Sequence, residues 1–503
     1  MSATADSGLR NRRTVPWAAV PRSAPEAFAA DVCDAVATGW RLVSLFGMPE
    51  GDDRVCLVAI TADDRAGALA AGGTVVGKEY PALSTRCVQA ERFEREIAEQ
   101  CGVTPLGHPD PRPLRRHPPD HAPRAFPAPT VDREGYAVLR ITGEDVHEVA
   151  VGPVHAGIIE PGHFRFQAHG EEVLLLDIVL GYQHRGVEPL LETADRARAV
   201  LVAESIAGDT VVGHAEAYCG ALEALARSHK TPRAQTIRAL ALELERLANH
   251  IGDLGAMAGD VAFQPAAAYL GRLRGECLNL LMTLAGNRYG RGLVRPGGAM
   301  FDLPDAMASD MRARLDAVRQ DLSDVLGILF DNASVQARFE GVGVLTRSVC
   351  EERGIVGVAA RACEVPRDVR YDHPYGAFRF AHVPVATAWA GDVLARALVR
   401  QLEIQRSLDF VTDQLAALPR GAIRAECGPL RPSELAVALT EGWRGEIVHA
   451  VVTDENGNVR RHKVTDPSFH NWTALALAFP GNEISDFPLC NKSFNLSYAG
   501  HDL

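Results

Sequence analysis

Nine of the 30 prolines in this chain fall between Pro105 and Pro129. Each proline fixes φ and removes a backbone donor, so neither a helix nor a sheet interior can pass through that stretch. The chain must therefore fold in two pieces, joined by a linker or an extended wrapping arm over residues 105–132. Its 503 residues also exceed what one core usually encloses. Residues 1–104 read as a small α/β domain, with Trp40 to Gly47 and Arg54 to Thr61 as strands and Glu91 to Gln100 as a short helix.

Residues 133–503 read as a larger, mainly helical domain with small peripheral sheets, which makes the fold class α+β. Tyr136 to Ile141 is expected as a strand, and Gly162 to Gly181 as a β-hairpin turning at His169-Gly170. Thr231-Pro232 opens a helix whose Ile237, Leu240, Leu244, Leu247 and Ile251 share one face. The same spacing recurs from Leu270 to Leu284 and from Met307 to Leu329, and a fourth helical stretch runs from Val385 to Leu415. Beyond Gly421 short strands return, with a hairpin turn at Glu455-Asn456-Gly457. Asp368, Arg370 and Asp372 alternate as they would on a strand.

Composition excludes several functions. Hydrophobic residues make up 47% and charged residues 23%, as in soluble globular proteins, and the net charge of −12 without a basic block gives nucleic acid no footprint. No two of the ten cysteines form a CxxC pair, so the chain is expected to hold no iron-sulfur cluster and no zinc, and to reside in a reducing compartment. GxGxxG and GxxxxGK[ST] are absent, which removes sequence support for binding NAD or a nucleoside triphosphate. Neither a signal-type apolar stretch nor 18 consecutive apolar residues occurs. The expected location is cytoplasmic, with no direct membrane span and any membrane association made through partners.

Several motifs carry a family resemblance. ERFEREIAEQCGVTPLGHPDPRPL (Glu91 to Leu114) resembles the signature of the 30 kDa-type subunit of respiratory complex I. From Gly152 onward the chain resembles the 49 kDa-type subunit of the same NADH-quinone oxidoreductase, and the large subunit of formate hydrogenlyase-type nickel-iron hydrogenases. The segments are GPVHAGIIEPGHFRF (Gly152 to Phe166), GYQHRGVEPL (Gly181 to Leu190), ELERLANHIGDLGAMAGDVAF (Glu243 to Phe263), GLVRPGG (Gly292 to Gly298), DVRYDHPYGAF (Asp368 to Phe378) and DFPLCNKSF (Asp486 to Phe494). The fusion of both parts in one chain resembles the hydrogenlyase arrangement.

In the hydrogenases two CxxC pairs bind nickel and iron. Aligned on them, this chain has Ala207 and Thr210 at the first pair and Ser497 and Gly500 at the second. A methyl group, hydroxyls and a bare glycine do not replace four soft thiolates, so the resemblance implies no nickel-iron centre and no metal ligand here. In complex I the same cavity receives a quinone head group. Here the tyrosine of that site aligns approximately with Gly208, and its histidine turn is replaced by Ile159-Glu160-Pro161.

Glu160 matches a hydrogenase glutamate that passes protons, and enclosure would raise its pKa as such a role requires. His155, Asp209 and His214 join it as candidate proton-handling residues. Arg295, in the loop that approaches the family's cavity, and Asp502, in the tail that reaches it, are the candidate acceptor-binding residues. Each has a plainer reading: Glu160 as a surface carboxylate, His155 and His163 as hydrogen-bonded structural histidines, Asp502 as part of an unstructured tail. Glu245, Arg246, Asn249 and His250 read as a polar seam in the helical bundle.

The resemblance implies an oxidoreductase subunit on the inner face of the cell membrane. A [4Fe-4S] cluster in a small partner subunit would reduce a quinone or another small acceptor in a metal-free cavity, coupled to proton or ion translocation. Antiporter-like membrane subunits would be further partners. Two other readings stand beside it: a redox-inactive connector to the antiporter-like module, and a hydrogenase with unconventional ligands.

Overall fold

Thr231 starts the helix that forms the axis of the large domain: its hydroxyl accepts the Ala234 N–H at 3.2 Å, and Pro232 opens the helix Pro232–Asp260. The computed structural model describes residues 8–51, 53–115, 139–155 and 159–503. Ile237, Leu240, Leu244, Leu247 and Ile251 are all buried. So is most of the rest of this helix, because Gln264–Ala285, Val393–Ala416 and Val211–Leu225 pack around it. Asp305–Phe330 closes the bundle on its outer side. The stretch expected from Val385 becomes helical only at Val393, where Asp392 caps it through Ala395 N–H at 2.8 Å.

Among the described residues, three sheets of three or more strands surround the bundle, beside two short two-stranded ones. The C-terminal sheet holds Glu434–Glu441, Glu446–Thr453 and Val459–Thr465 in antiparallel order, the last two turning where the Asn-Gly signal lies. Arg13–Pro16 adds an edge strand to it, Arg13 opposite Val437, so the earliest described residues cross from the small unit onto the large one. The small unit is an antiparallel sheet of Arg41–Pro49, Val55–Asp63 and Ala68–Val76 with the helices Pro25–Ala37 and Glu91–Cys101 packed on it. Its third strand escapes sequence reading because it is built mostly of alanine and glycine.

The remaining sheet corrects one expectation. His163–His169 and Glu172–Val179 form the expected hairpin, but the strand beside it is Val146–Val151. Of the strand expected at Tyr136 to Ile141, residues 136–138 lie outside the described residues and 139–141 are not extended in a ladder. The Gln167 side chain bonds both Leu139 O and Ile141 N–H, which satisfies that backbone without a sheet. The Asp368 to Asp372 alternation is also not a strand. Val369–Asp372 is one helical turn, capped by Asp368 through Arg370 N–H at 2.9 Å, and it delivers Arg370 to Glu243 at 3.0 Å.

The described part of the proline-rich arm, 105–115, wraps as an extended segment; its remainder, 116–132, lies outside the described residues. Arg95 donates to Arg112 O at 2.6 Å, and Arg115 reaches Glu96 at 2.6 Å and the carbonyl of Leu503 at 2.5 Å. Here a buried ionic cluster forms. Lys463 pairs with Glu96 at 2.6 Å and Glu188 at 2.9 Å, and Arg461 pairs with Glu188 at 2.7 Å and Glu192 at 2.8 Å. It binds the small unit, the helix Val187–Thr193 and the C-terminal sheet into one body. Among the described residues no helix is long and apolar enough to cross a membrane.

Removing one member of such a buried cluster strands its partners. Lys463→Met is expected to cost about 3 kcal/mol, toward the low end for a broken buried pair because Glu96 and Glu188 each keep a guanidinium. Arg347→Ala, which breaks the exposed Arg347–Glu351 pair, should change stability by less than about 1 kcal/mol. Urea-unfolding midpoints of the two variants test the contrast.

Candidate functional site

The last seven residues form the floor of a buried polar site. Ser497–Leu503 are all buried, held by contacts within the segment and from distant parts of the chain. Ser497 caps the turn Tyr498–His501 by accepting Gly500 N–H at 2.9 Å, while its own N–H donates to Ser468 Oγ at 2.9 Å. The Tyr498 ring packs edge-on against Trp472 and lies over Gly162, where any Cβ would meet its Cε1 at 2.3 Å. Glycine in the PGH turn is thus required by close approach rather than by φ. Asp502 accepts Gly181 N–H at 2.9 Å, Gln183 N–H at 3.0 Å and a 2.7 Å bond from His501.

Glu160 hangs over this floor, half-buried, and accepts Tyr498 N–H at 3.0 Å. Burial pushes its carboxyl above the ordinary range; the Tyr498 and Ala499 N–H groups and the Arg444 charge pull the other way and are outweighed. Beside it Arg444 makes a two-point pair with Asp209 at 2.5 and 2.8 Å, and donates to Thr210 Oγ1 at 3.0 Å and Asn495 O at 2.5 Å. Its guanidinium lies 3.9 Å from the Trp443 ring centroid. Burial works against the charge on Asp209, yet the guanidinium and the Thr210 hydroxyl hold its carboxyl below the usual value. Gly208 and Ile159 are exposed, so this side of the site meets the surface.

The other side is closed by Asp466. Its Oδ1 caps the helix Pro467–Ala478 through Ser468 N–H at 2.7 Å, and its Oδ2 accepts from His214 Nε2 at 2.9 Å. The carboxyl presses on Gly500, where a Cβ would stand 2.6 Å from Cγ. Burial opposes its ionisation, but His214 and Arg444 hold its pKa below the ordinary value. Glu245, on the axial helix, caps Val211–Leu225 by accepting Val212 N–H at 2.7 Å and Gly213 N–H at 3.1 Å, and Asn249 donates to Asp209 O at 3.0 Å. On the neighbouring face of this helix Arg246 and His250 both reach Glu403, at 3.3 and 2.8 Å. The polar seam read from this helix therefore divides, one face turned to the site and one to a buried ionic network.

The structure brings Glu160, Asp209, His214 and Asp502 to this neighbourhood. His155 lies at its edge, bonded to Gly162 O at 3.0 Å, and His163 bonds Gly152 O at 3.2 Å. Arg295 ends on Glu204 at 2.7 Å and its loop is held by Arg238 and Glu223. Arg444 and Asp466 are absent from the sequence reading. An Asp-Pro helix start at Asp466 signals the second, whereas nothing in EGWRGE marks Arg444 as reaching Asp209, 235 residues away.

The four positions aligned with hydrogenase thiolates are all engaged otherwise. Ala207 offers a methyl group, Thr210 is bonded to Arg444, Ser497 caps a turn, and the space beside Gly500 holds the Asp466 carboxyl. This donor set does not fit a nickel-iron centre. Among the described residues no group of three or more His, Cys, Asp or Glu side chains is placed to hold a metal ion.

Two expectations follow. A methyl group at 500 has no room, so Gly500→Ala should cost about 1–3 kcal/mol, and much less in an Asp466→Ala background. A double-mutant cycle by chemical denaturation measures that coupling. Burial raises the Glu245 carboxyl to about 8 despite its two N–H donors. The folded state then holds a proton that the unfolded chain releases near 4.5, so this contribution is full at low pH and is lost as pH rises through about 8. Glu245→Gln should flatten the pH dependence of the unfolding midpoint in that window; identical profiles for the two proteins would refute the assignment.

Comparison with known proteins places these features in context. The family model of the respiratory-chain NADH dehydrogenase 49 Kd subunit matches residues 260–431 and 424–502. The chain is 30% identical over 439 residues to formate hydrogenlyase subunit 5 of Escherichia coli, covering 84% of this chain and 77% of that one. It is 31% identical over 350 residues to the carbon monoxide-induced hydrogenase of Rhodospirillum rubrum, 69% of this chain and 97% of that one. It is 29% identical over 338 residues to an NADH-quinone oxidoreductase subunit of Solibacter usitatus, 67% and 91%. A chain of the archaeal membrane-bound sulfane sulfur reductase, a respiratory membrane complex, shares the fold with a TM-score of 0.68 at 24% identity, covering 72% of this chain and 100% of that one.

Proposed function

Because this chain belongs to the family of the respiratory-chain NADH dehydrogenase 49 Kd subunit and its hydrogenase relatives, we propose that it is a subunit of a membrane-associated oxidoreductase complex of that kind, with a metal-free site of its own. Electrons come from the [4Fe-4S] cluster of an adjoining small subunit and pass to a quinone or another small acceptor beside Glu160. Antiporter-like membrane subunits hold the chain on the inner face of the membrane and couple the reaction to proton or ion translocation.

The observation that carries this reading is Glu160 itself: a half-buried carboxyl with a raised pKa, next to a fixed cation and open to the surface at Gly208. A quinone takes two electrons and two protons to become a quinol. Electrons are the partner's contribution, so this chain must supply protons and stabilise charge. Glu160 donates a proton, and Arg444, held rigid by Asp209, Asn495 and Trp443, faces negative charge developing on the acceptor oxygen.

A second reading, the redox-inactive connector, is favoured by one specific feature: the Asp466 carboxyl fills the space beside Gly500 and Arg444 occupies Thr210, which closes the former metal positions. In the complex purified from its native membrane, the first reading expects no nickel, iron accounted for by partner clusters, and bound quinone. Glu160→Gln should lower acceptor-linked turnover about 100-fold with little change in acceptor KM. Cation transport that survives Glu160→Gln but vanishes on deletion of the subunit would instead establish the connector.

A further inference from the structure

Behind Asp466 three buried imidazoles continue in line. His214 Nε2 lies 2.9 Å from Asp466 Oδ2, His214 Nδ1 lies 3.3 Å from His449 Nε2, and His449 Nδ1 lies 2.9 Å from His462 Nε2. All three rings are completely inaccessible to solvent. His462 Nδ1, at the far end, has no hydrogen-bond partner among the described residues, which is costly for a buried acceptor unless it is used. The His462 ring stacks parallel to Tyr218, 2° between planes, and Tyr218 lies within electrostatic reach of Asp195 and Arg196, both exposed at the surface. The chain of rings thus leads from Asp466 along the interface between the helix Val211–Leu225 and the C-terminal sheet, where Tyr218 lies one helical turn beyond His214.

We infer that Asp466, His214, His449 and His462 form a proton wire between the site and the Tyr218 end of this helix–sheet interface, a second route beside Glu160. The inference deepens the proton-handling reading of the site and rests on it.

The bonding order is directional. Asp466 is ionised and can only accept, so His214 carries its proton on Nε2 and leaves Nδ1 free to accept. With one proton per ring, His449 and His462 must then also be Nε2–H. Burial drives His449 well below its usual pKa and His462 down to about 3, which keeps both rings neutral at rest. A proton that reaches His462 Nδ1 from solvent, when water gains access past Tyr218, releases that ring's Nε2 proton to His449 Nδ1. His449 passes its Nε2 proton to His214 Nδ1, and His214 passes its own to Asp466 Oδ2. One proton enters, one arrives, and each N–H or O–H bond formed is matched by one broken. Once Asp466 gives its proton to the site each ring is left as the Nδ1–H tautomer, and the reverse passage, one proton entering at Asp466 and one leaving from His462 Nδ1, restores the resting series. The charged groups facing this path are Arg444 and Asp209 at the site end, with Arg461 and Glu188 acting on His462.

Hydrogen exchange in the full chain labelled with 15N-histidine tests conduction without any redox assay. His462→Phe keeps an aromatic ring against Tyr218 while removing the entry nitrogen. If the wire conducts, exchange of the His214 and His449 Nε2 protons into D2O slows at least about 10-fold in this variant, whereas exchange through local opening would not slow. Unchanged rates overturn the proposal. If the variant does not fold, the resting tautomers of the native chain decide: three Nε2–H rings support the wire, and any Nδ1–H ring among them breaks the series and overturns it. Redox turnover of the complex with Glu160→Gln reports on the site reading separately, so either idea can fail alone.

Discussion

A charge taken into the interior of a protein must be met there by an opposite charge or by several hydrogen-bond donors, and this requirement organises the molecule. Arg41, Arg115, Arg246, Arg361, Arg370, Arg444, Arg461 and Lys463 are all buried, and each is paired with a carboxylate. Their partners lie on different elements, often hundreds of residues apart, as with Arg41 and Glu446 or Lys463 and Glu96. No single element could satisfy these charges. The small unit, the axial helix and the C-terminal sheet are consequently obliged to close together.

The same rule shapes the site. Where hydrogenase relatives are expected to have four thiolates, this chain holds two ion-pairing systems, Arg444–Asp209 and Asp466–His214. The Asp466–His214 pair could not keep its place with a cysteine at 500, since the Asp466 carboxyl and a side chain there would need the same space. The glycine at 500 and the aspartate at 466 are therefore one structural feature. Glu160 differs from these paired groups: it is satisfied by backbone N–H donors and lies where burial, rather than a cation, dominates its protonation. The proton exchange proposed for Glu160 rests on that contrast.

Much of this was legible in the residues. The four long helices, the C-terminal hairpin and the seam Glu245–His250 follow from local periodicity and turn chemistry, which depend on neighbours in sequence. Glu160, Asp209 and His214 stand close to the motifs that carry the resemblance, and they are found together. Less legible were elements whose stability comes from elsewhere: the Ala/Gly-rich strand Ala68–Val76, the strand Val146–Val151, and the single turn Val369–Asp372 whose alternation imitates a strand. His449 and His462 could have been paired by folding the hairpin about its Asn-Gly turn, which sets them diagonally across two strands. Their line with His214 could not.

By itself the sequence determined the family, the α+β class and the helical bundle, because each of these is written in residue identity or short-range spacing. Only the tertiary structure decided what took the thiolates' place, where Arg295 ends, and that three histidines and an aspartate stand in a row. Those outcomes depend on which buried charges find each other across the fold, and a pairing energy between residues 235 or 252 positions apart leaves no local pattern to read.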